Sequence, residues 1–159
     1  METYSSLYEL KGTILALANV YGPRQDPHGE AGVVAIFADK LINGDPCIIY
    51  GTGSQTRDFV YVEDVVSAFI ASIEHGDGQL LNIGTGVETS IQTLYEEMAL
   101  AVGVDSEPEK GDRRPGELER SSLDPSFAKS SLGWEPQTNL RDGVKYTLEW
   151  FRSKREESS

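Results

Sequence analysis

Arg57 stands between a flexible turn and a run of strand-forming residues, in the stretch Gly51-Thr52-Gly53-Ser54-Gln55-Thr56-Arg57-Asp58-Phe59-Val60-Tyr61-Val62-Glu63-Asp64. A guanidinium in that place is suited to gripping a planar or tetrahedral anion. An exposed ion pair with Asp58 or Glu63 is the plainer use of the same side chain. Two other segments carry complementary groups, Asn19–Arg24 and Arg113–Glu117, and Tyr50 lies just before the turn. Together they offer an amide, an aromatic ring and two or three guanidiniums. That inventory suits a nucleoside diphosphate: arginines hold the phosphates, the ring stacks on a base and Asn19 fixes an oxygen. Each residue also has an ordinary use: Tyr50 in a core, Asn19 in a turn, Arg113-Arg114 as a solvated pair.

The elements that must position these groups alternate between strand and helix. Residues 2–10 read as the last turns of a helix, with Leu7 and Leu10 on one face and Lys11-Gly12 at its end. Thr13–Ala18 is a near-continuous apolar strand of the kind buried in a parallel sheet, although no earlier strand stands beside it. Asn19–Gly29 reads as a loop at the carboxyl end of that strand, where open α/β sheets bind ligands. A helix over Val33–Asn43 turns Val33, Ile36, Phe37 and Leu41 inward and stops at Gly44. Pro46–Tyr50 is a short strand. Phe59–Val62 is another, and it feeds a helix with Val65, Val66, Phe69, Ile70 and Ile73 on its inner face. Leu80–Ile83 is a buried strand ending in Gly84-Thr85-Gly86. Thr89–Gln92 has the spacing of a capping box, opening a helix to Gly103 with Ile91, Leu94, Met98 and Val102 inward. Residues 104–118 are polar. Asp124-Pro125 starts a short helix that Gly133 ends. Thr138 caps a last helix with Leu140, Val144, Leu148 and Phe151 inward, and Lys154, Arg155 and the final serines form a frayed tail.

The net charge of −12 over 159 residues excludes a general nucleic-acid or anionic-membrane surface, and it makes local arginines more informative. No apolar run is long enough to span a bilayer. The one cysteine, Cys47, lies in an apolar run with no histidine nearby in sequence. It reads as a buried thiol in a protein of a reducing, cytoplasmic compartment.

Five segments in series carry a resemblance: Asn19-Val20-Tyr21-Gly22-Pro23-Arg24-Gln25; Tyr50-Gly51 through Arg57-Asp58-Phe59-Val60-Tyr61-Val62-Glu63-Asp64; Asn82-Ile83-Gly84-Thr85-Gly86; Arg114-Pro115-Gly116-Glu117; and Leu132-Gly133-Trp134. In this order and spacing the chain resembles the NAD-dependent nucleotide-sugar epimerases and dehydratases of the extended short-chain dehydrogenase/reductase family, close to the UDP-glucose 4-epimerase type. The resemblance implies roles. Asn19 contacts the diphosphate, Tyr50 faces the nucleobase, and Val33 lines the base pocket. Arg57 and Arg114 bind phosphate, Glu117 lies near the ribose, and Leu17 touches the nicotinamide cofactor through its backbone. The implied fold is α/β: the carboxyl-terminal portion of an extended Rossmann-type fold, comprising the substrate domain and the last strands of the parallel sheet, as one partial domain over residues 1–159.

Two family features are not found in the sequence: the Gly-x-x-Gly-x-x-Gly turn that holds NAD, and the Tyr-x-x-x-Lys pair whose tyrosine is the acid/base. Ala16 stands where many relatives have arginine, and Gly32 where one has asparagine. The expectation is therefore the substrate-binding half of a nucleotide-sugar epimerase, inactive alone and without catalytic residues or a metal of its own. It would bind a UDP- or dTDP-sugar, and NAD would be the cofactor of the family rather than a tight ligand of this chain. Its partner would be the missing amino-terminal half or a second copy, through the exposed edge of Thr13–Ala18. A stand-alone nucleotide-sugar-binding module is the alternative.

Overall fold

The structure is a computed structural model that describes residues 7–8, 11–28 and 32–158. The helix expected over residues 2–10 therefore lies almost wholly outside the described residues. The elements follow in the order β1 (Ile14–Leu17), β2 (Asn19–Tyr21), α1 (Val33–Asn43), β3 (Ile48–Tyr50), β4 (Thr56–Tyr61), α2 (Val62–Glu74), β5 (Leu80–Ile83), β6 (Glu88–Ser90), α3 (Ile91–Val102), β7 (Glu109–Gly111), α4 (Ser126–Leu132) and α5 (Leu140–Ser158). Strands β1 and β5 pair in parallel, Ile14 opposite Leu80 and Leu17 opposite Ile83. β2 runs parallel to β4, with Asn19 opposite Phe59, and β6 runs antiparallel to β4. β3 and β7 form a separate parallel pair.

Strand β4 joins two cores because its side chains alternate. Phe59 and Tyr61 enter a cluster with Tyr21, Phe37, Leu41, Leu94, Met98, Val144 and Leu148, between α1, α3 and α5. Val60 faces the other way, to Val65, Ala68, Leu81, Ile83, Ala128, Leu132 and Trp134. Tyr21 sets edge-on against both Phe59 and Tyr61. Gly143 lets α5 pass over Tyr21, since an added Cβ would overlap the phenol oxygen.

The inner face expected for the helix after β4 is corrected. Val65 is buried, together with Asp64 and Ala68, but Val66, Phe69, Ile70 and Ile73 are exposed. The helix is apolar on more than one side, so periodicity alone does not decide which side packs. Small Ala68 and half-buried Ala71 let α2 lie close to its neighbours and turn the larger side chains out. Asn19–Tyr21 is strand rather than loop, because its backbone pairs with β4 after Ala18 has donated to Ile83 O at 2.9 Å. Arg57 likewise lies within β4, which starts at Thr56.

Three caps differ by one position. Ser90, not Thr89, caps α3 by accepting from Thr93 N at 3.0 Å. Asn139, not Thr138, opens α5 by accepting from Asp142 N at 3.0 Å. Asp124 accepts from Ser126 N at 2.9 Å, leaving Pro125 as the residue just before α4. β6 and β7 were not expected: neither Glu-Thr-Ser nor Glu-Lys-Gly has strand character, and pairing with β4 and β3 makes them strands. The expected frayed tail is helix through Ser158, with Arg155 donating to Ile42 O across the packed helices. Cys47 is buried as expected, and burial pushes its thiol up to about 11.

Candidate functional site

β3 delivers Tyr50 to the rim of a cleft of about 190 Å³. The following turn, with Gly51 and Gly53 at positive φ, forms one wall. Only a residue without Cβ penalty holds these angles without strain. The turn is tied down at three points: Gly51 N donates to Gly111 O, Gln55 Nε2 to Tyr50 O and Gln92 N to Gly53 O. The Tyr50 ring lies across Gly111, where any side chain would collide with it.

The second wall is the segment after β7. It runs beside the start of β4: Thr56 N donates to Glu119 O at 2.9 Å, and Ser121 N to Thr56 O at 3.2 Å. Arg57 fastens it further, donating through Nη1 to Leu118 O at 2.8 Å and through Nη2 to Glu117 Oε1 at 3.4 Å. Asp58, fully buried, accepts from Thr85 N, Thr85 Oγ1, Gly86 N and Leu123 N at 2.6–3.2 Å. On the outer side, Glu88 takes two bonds from Arg120 and one from Thr56 Oγ1. Those bonds, first from Arg120 and then from Thr56, hold the Glu88 carboxyl down to about 2.

The sequence-chosen residues divide into two groups. Tyr50 and Glu117 line the cleft, Arg57 is bonded to Glu117, and the Arg114 guanidinium lies 4.0 Å from the Tyr50 ring centroid. Four residues from three segments thus share one neighbourhood. Asn19 is exposed on β2, on the strand face it shares with Phe59 and Arg57 two residues along β4. Val33 opens α1 against the larger core, and Leu17 ends β1 opposite Ile83. None of these last three lines the cleft. Arg57 pairs with Glu117 rather than with Asp58 or Glu63.

Arg113, named in sequence only as half of the Arg113-Arg114 pair, lines the cleft, as do Gln55 and Glu119, which sequence reasoning did not single out. The only local signal for Gln55 was its place beside Arg57. Arg113 and Glu119 form an ion pair that depends on how residues 111–121 fold back. The glycine turn that most resembles a phosphate cradle, Gly84-Thr85-Gly86, has its Thr85 and Gly86 amides on Asp58. Gly51 N is likewise taken by Gly111 O. These two turns do not fit a dinucleotide pyrophosphate, which needs free amides at a helix start. Among the described residues no cluster of His, Cys, Asp and Glu has the arrangement to hold a metal ion, and no helix is long and apolar enough to cross a membrane.

Comparison with known proteins supplies the context. Residues 1–84 match the model of the NAD dependent epimerase/dehydratase family. The UDP-glucose 4-epimerase of Mycolicibacterium smegmatis is 52% identical over 155 residues, covering 97% of this chain and 50% of that protein. The crystal structure of Thermotoga maritima UDP-glucose 4-epimerase with UDP-glucose superposes at a TM-score of 0.95 with 46% identity, over 97% of this chain and 50% of that one. The Thermus thermophilus UDP-glucose 4-epimerase complex with NAD superposes at 0.86 with 39% identity, over 95% and 50%. The chain spans about half the length of the curated relatives it matches.

Proposed function

Because this chain belongs to the NAD dependent epimerase/dehydratase family, we propose that it is the half of a sugar-nucleotide epimerase that holds the nucleoside diphosphate, with a UDP-sugar as the first candidate. The observation that carries this reading is a cleft lined by Tyr50 and Glu117, with Arg57 bonded to Glu117 and the Arg114 guanidinium against the Tyr50 ring. The relative solved with UDP-glucose supports the choice of base and sugar.

The residues divide the work by chemistry. Tyr50 offers a ring face to the base. Arg57 and Arg114 supply charge-assisted donors to the two phosphates. Glu117, freed from Arg57, accepts from a ribose hydroxyl. Asn19 reaches the diphosphate from the β2 face shared with Arg57. Holding the diphosphate at these points fixes the sugar in one register, which lowers the entropic part of the barrier. Hydride chemistry belongs to NAD, and the committed amides of Thr85 and Gly86 argue that NAD is held by residues beyond this chain.

Isothermal titration of the purified chain tests the reading. UDP-glucose and UDP are expected to bind weakly, with loss of heat in Arg57→Ala, while NAD gives no signal and no sugar is turned over. Micromolar NAD affinity or turnover by this chain alone would overturn the division of labour. UDP affinity unchanged by Arg57→Ala would remove the site.

A further inference from the structure

Gln55 is a polar residue that the fold buries: it is 8% exposed, yet it lines the cleft. Its Nε2 donates to Tyr50 O at 3.0 Å. Only the nitrogen end of a carboxamide can serve a carbonyl, so that bond fixes which way the amide faces. The backbone is held as firmly. Gln55 O accepts from Ile91 N at 3.1 Å, tying the residue to the start of α3.

The other end of the amide is left over. Among the described residues nothing donates to Gln55 Oε1. The neighbouring guanidiniums are bonded elsewhere: Arg57 to Thr56 O, Leu118 O and Glu117, and Arg113 to Glu119. Unlike the Oε1 atoms of Gln25 and Gln79, which are sealed inside the protein, Gln55 Oε1 opens on the cleft. A fixed acceptor on a side chain more than nine-tenths buried, with no protein donor, is satisfied only by a donor that enters the cleft.

A diphosphate does not supply one, because its oxygens accept. Glu117 already stands as acceptor for the ribose hydroxyls. The base remains. Gln55 is bonded to Tyr50 itself, so its acceptor lies beside the residue whose ring would carry the base. Uracil and thymine present an imide N3–H donor between two carbonyls. Cytosine presents a bare N3 lone pair at that position, which would face Oε1 acceptor to acceptor. We propose that Gln55 determines base specificity in this cleft: its Oε1 accepts from the imide N3–H of uracil or thymine and turns cytosine away. This rests on the nucleoside-diphosphate reading of the cleft and adds which bases enter it.

UDP and CDP differ only at N3 and the neighbouring C4 substituent, so calorimetric titration of the 159-residue chain with each reads the base edge. UDP is expected to bind at least about tenfold more tightly than CDP, as when a site built for a ligand N–H meets an analogue lacking it. In Gln55→Met, which keeps the length of the side chain, the ratio is expected to fall to within about threefold. Loss of the Nε2 bond to Tyr50 O loosens the turn for both ligands alike, so the ratio reports on Oε1 and neither affinity alone does. Equal binding of UDP and CDP by the native chain would overturn the proposal, and so would a UDP preference that survives Gln55→Met; both results leave the diphosphate site standing. Absence of binding by UDP and CDP together would overturn the nucleotide reading and this proposal with it. If Gln55→Met does not fold, UDP labelled with nitrogen-15 at N3 decides on the native chain. An imino proton protected from exchange in the complex is the expected result, and one exchanging as in free UDP overturns the proposal.

Discussion

The Arg114 guanidinium lies on the Tyr50 ring, so a base arriving at that ring has to displace it. An exposed cation–π contact contributes about 0.5–1 kcal/mol, whereas a charge-assisted bond to a phosphate contributes about 1.5–3 kcal/mol. The exchange therefore favours the ligand. Arg114→Ala is expected to weaken UDP binding by about 1–2 kcal/mol, the difference between those two terms, with only a small fall in melting temperature from the lost ring contact. Arg57→Ala is expected to lower both affinity and melting temperature, because Arg57 also anchors Leu118 and Glu117. Titration calorimetry and thermal unfolding on the same samples separate the two. Glu88 gives a pH signature. Its depressed pKa means that its contribution is fully present above the ordinary value of 4.5 and is lost as pH falls through about 2. Glu88→Gln is expected to lower the melting temperature modestly at neutral pH and to flatten its fall across that window, the two proteins converging as pH approaches 2. At this scale the proximity of Tyr50, Arg57, Arg114 and Glu117 was legible because each sits in a short motif of fixed spacing. Asp58 was not. Its four donors come from residues 85, 86 and 123, and nothing beside it in sequence announces them.

α5 rests on Tyr21 through Gly143, and two effects compete there. Alanine is better than glycine in a helix interior by about 1 kcal/mol. Its Cβ, however, would overlap the Tyr21 phenol, which is held edge-on between Phe59 and Tyr61 and buried. Overpacking of that kind costs about 1–3 kcal/mol, so Gly143→Ala is expected to lower stability in urea unfolding, against its propensity. A rise in stability would show that Tyr21 can move aside. Helices α1 and α3 were readable from apolar spacing and glycine stops, since both end in left-handed Gly44 and Gly103. The α2 face was misread for the opposite reason: with valine, phenylalanine and isoleucine around most of its circumference, only the neighbours choose the buried side. β2, β6 and β7 are short strands whose existence depends on partners far away in the chain, and no local pattern encodes that.

The whole molecule is held by two buried carboxylates six residues apart on the β4–α2 junction. Asp58 takes Leu123 N, 65 residues ahead, and Asp64 takes Gln137 N and Thr138 N, up to 74 residues ahead. Trp134 Nε1 adds a bond to Asp64 O. The fold class and the family were legible because the five motifs keep their order, while these long clamps were not. A chain ending at residue 122 would leave Asp64 without the amides of residues 137–138 and remove Ala128, Leu132 and Trp134 from the smaller core. Stripping buried charged groups of their donors costs several kcal/mol in sum. That truncated chain is expected to lose cooperative unfolding by circular dichroism, even though β1–β5, α1 and α3 are all retained. Synthesis meets the same condition in time. As the chain leaves the ribosome from its amino end, both aspartates emerge long before the amides that neutralise their burial. The β4–α2 junction must then stay hydrated or loosely seated until residues 137 and 138 appear, so final closure waits on amides made more than seventy residues after Asp64.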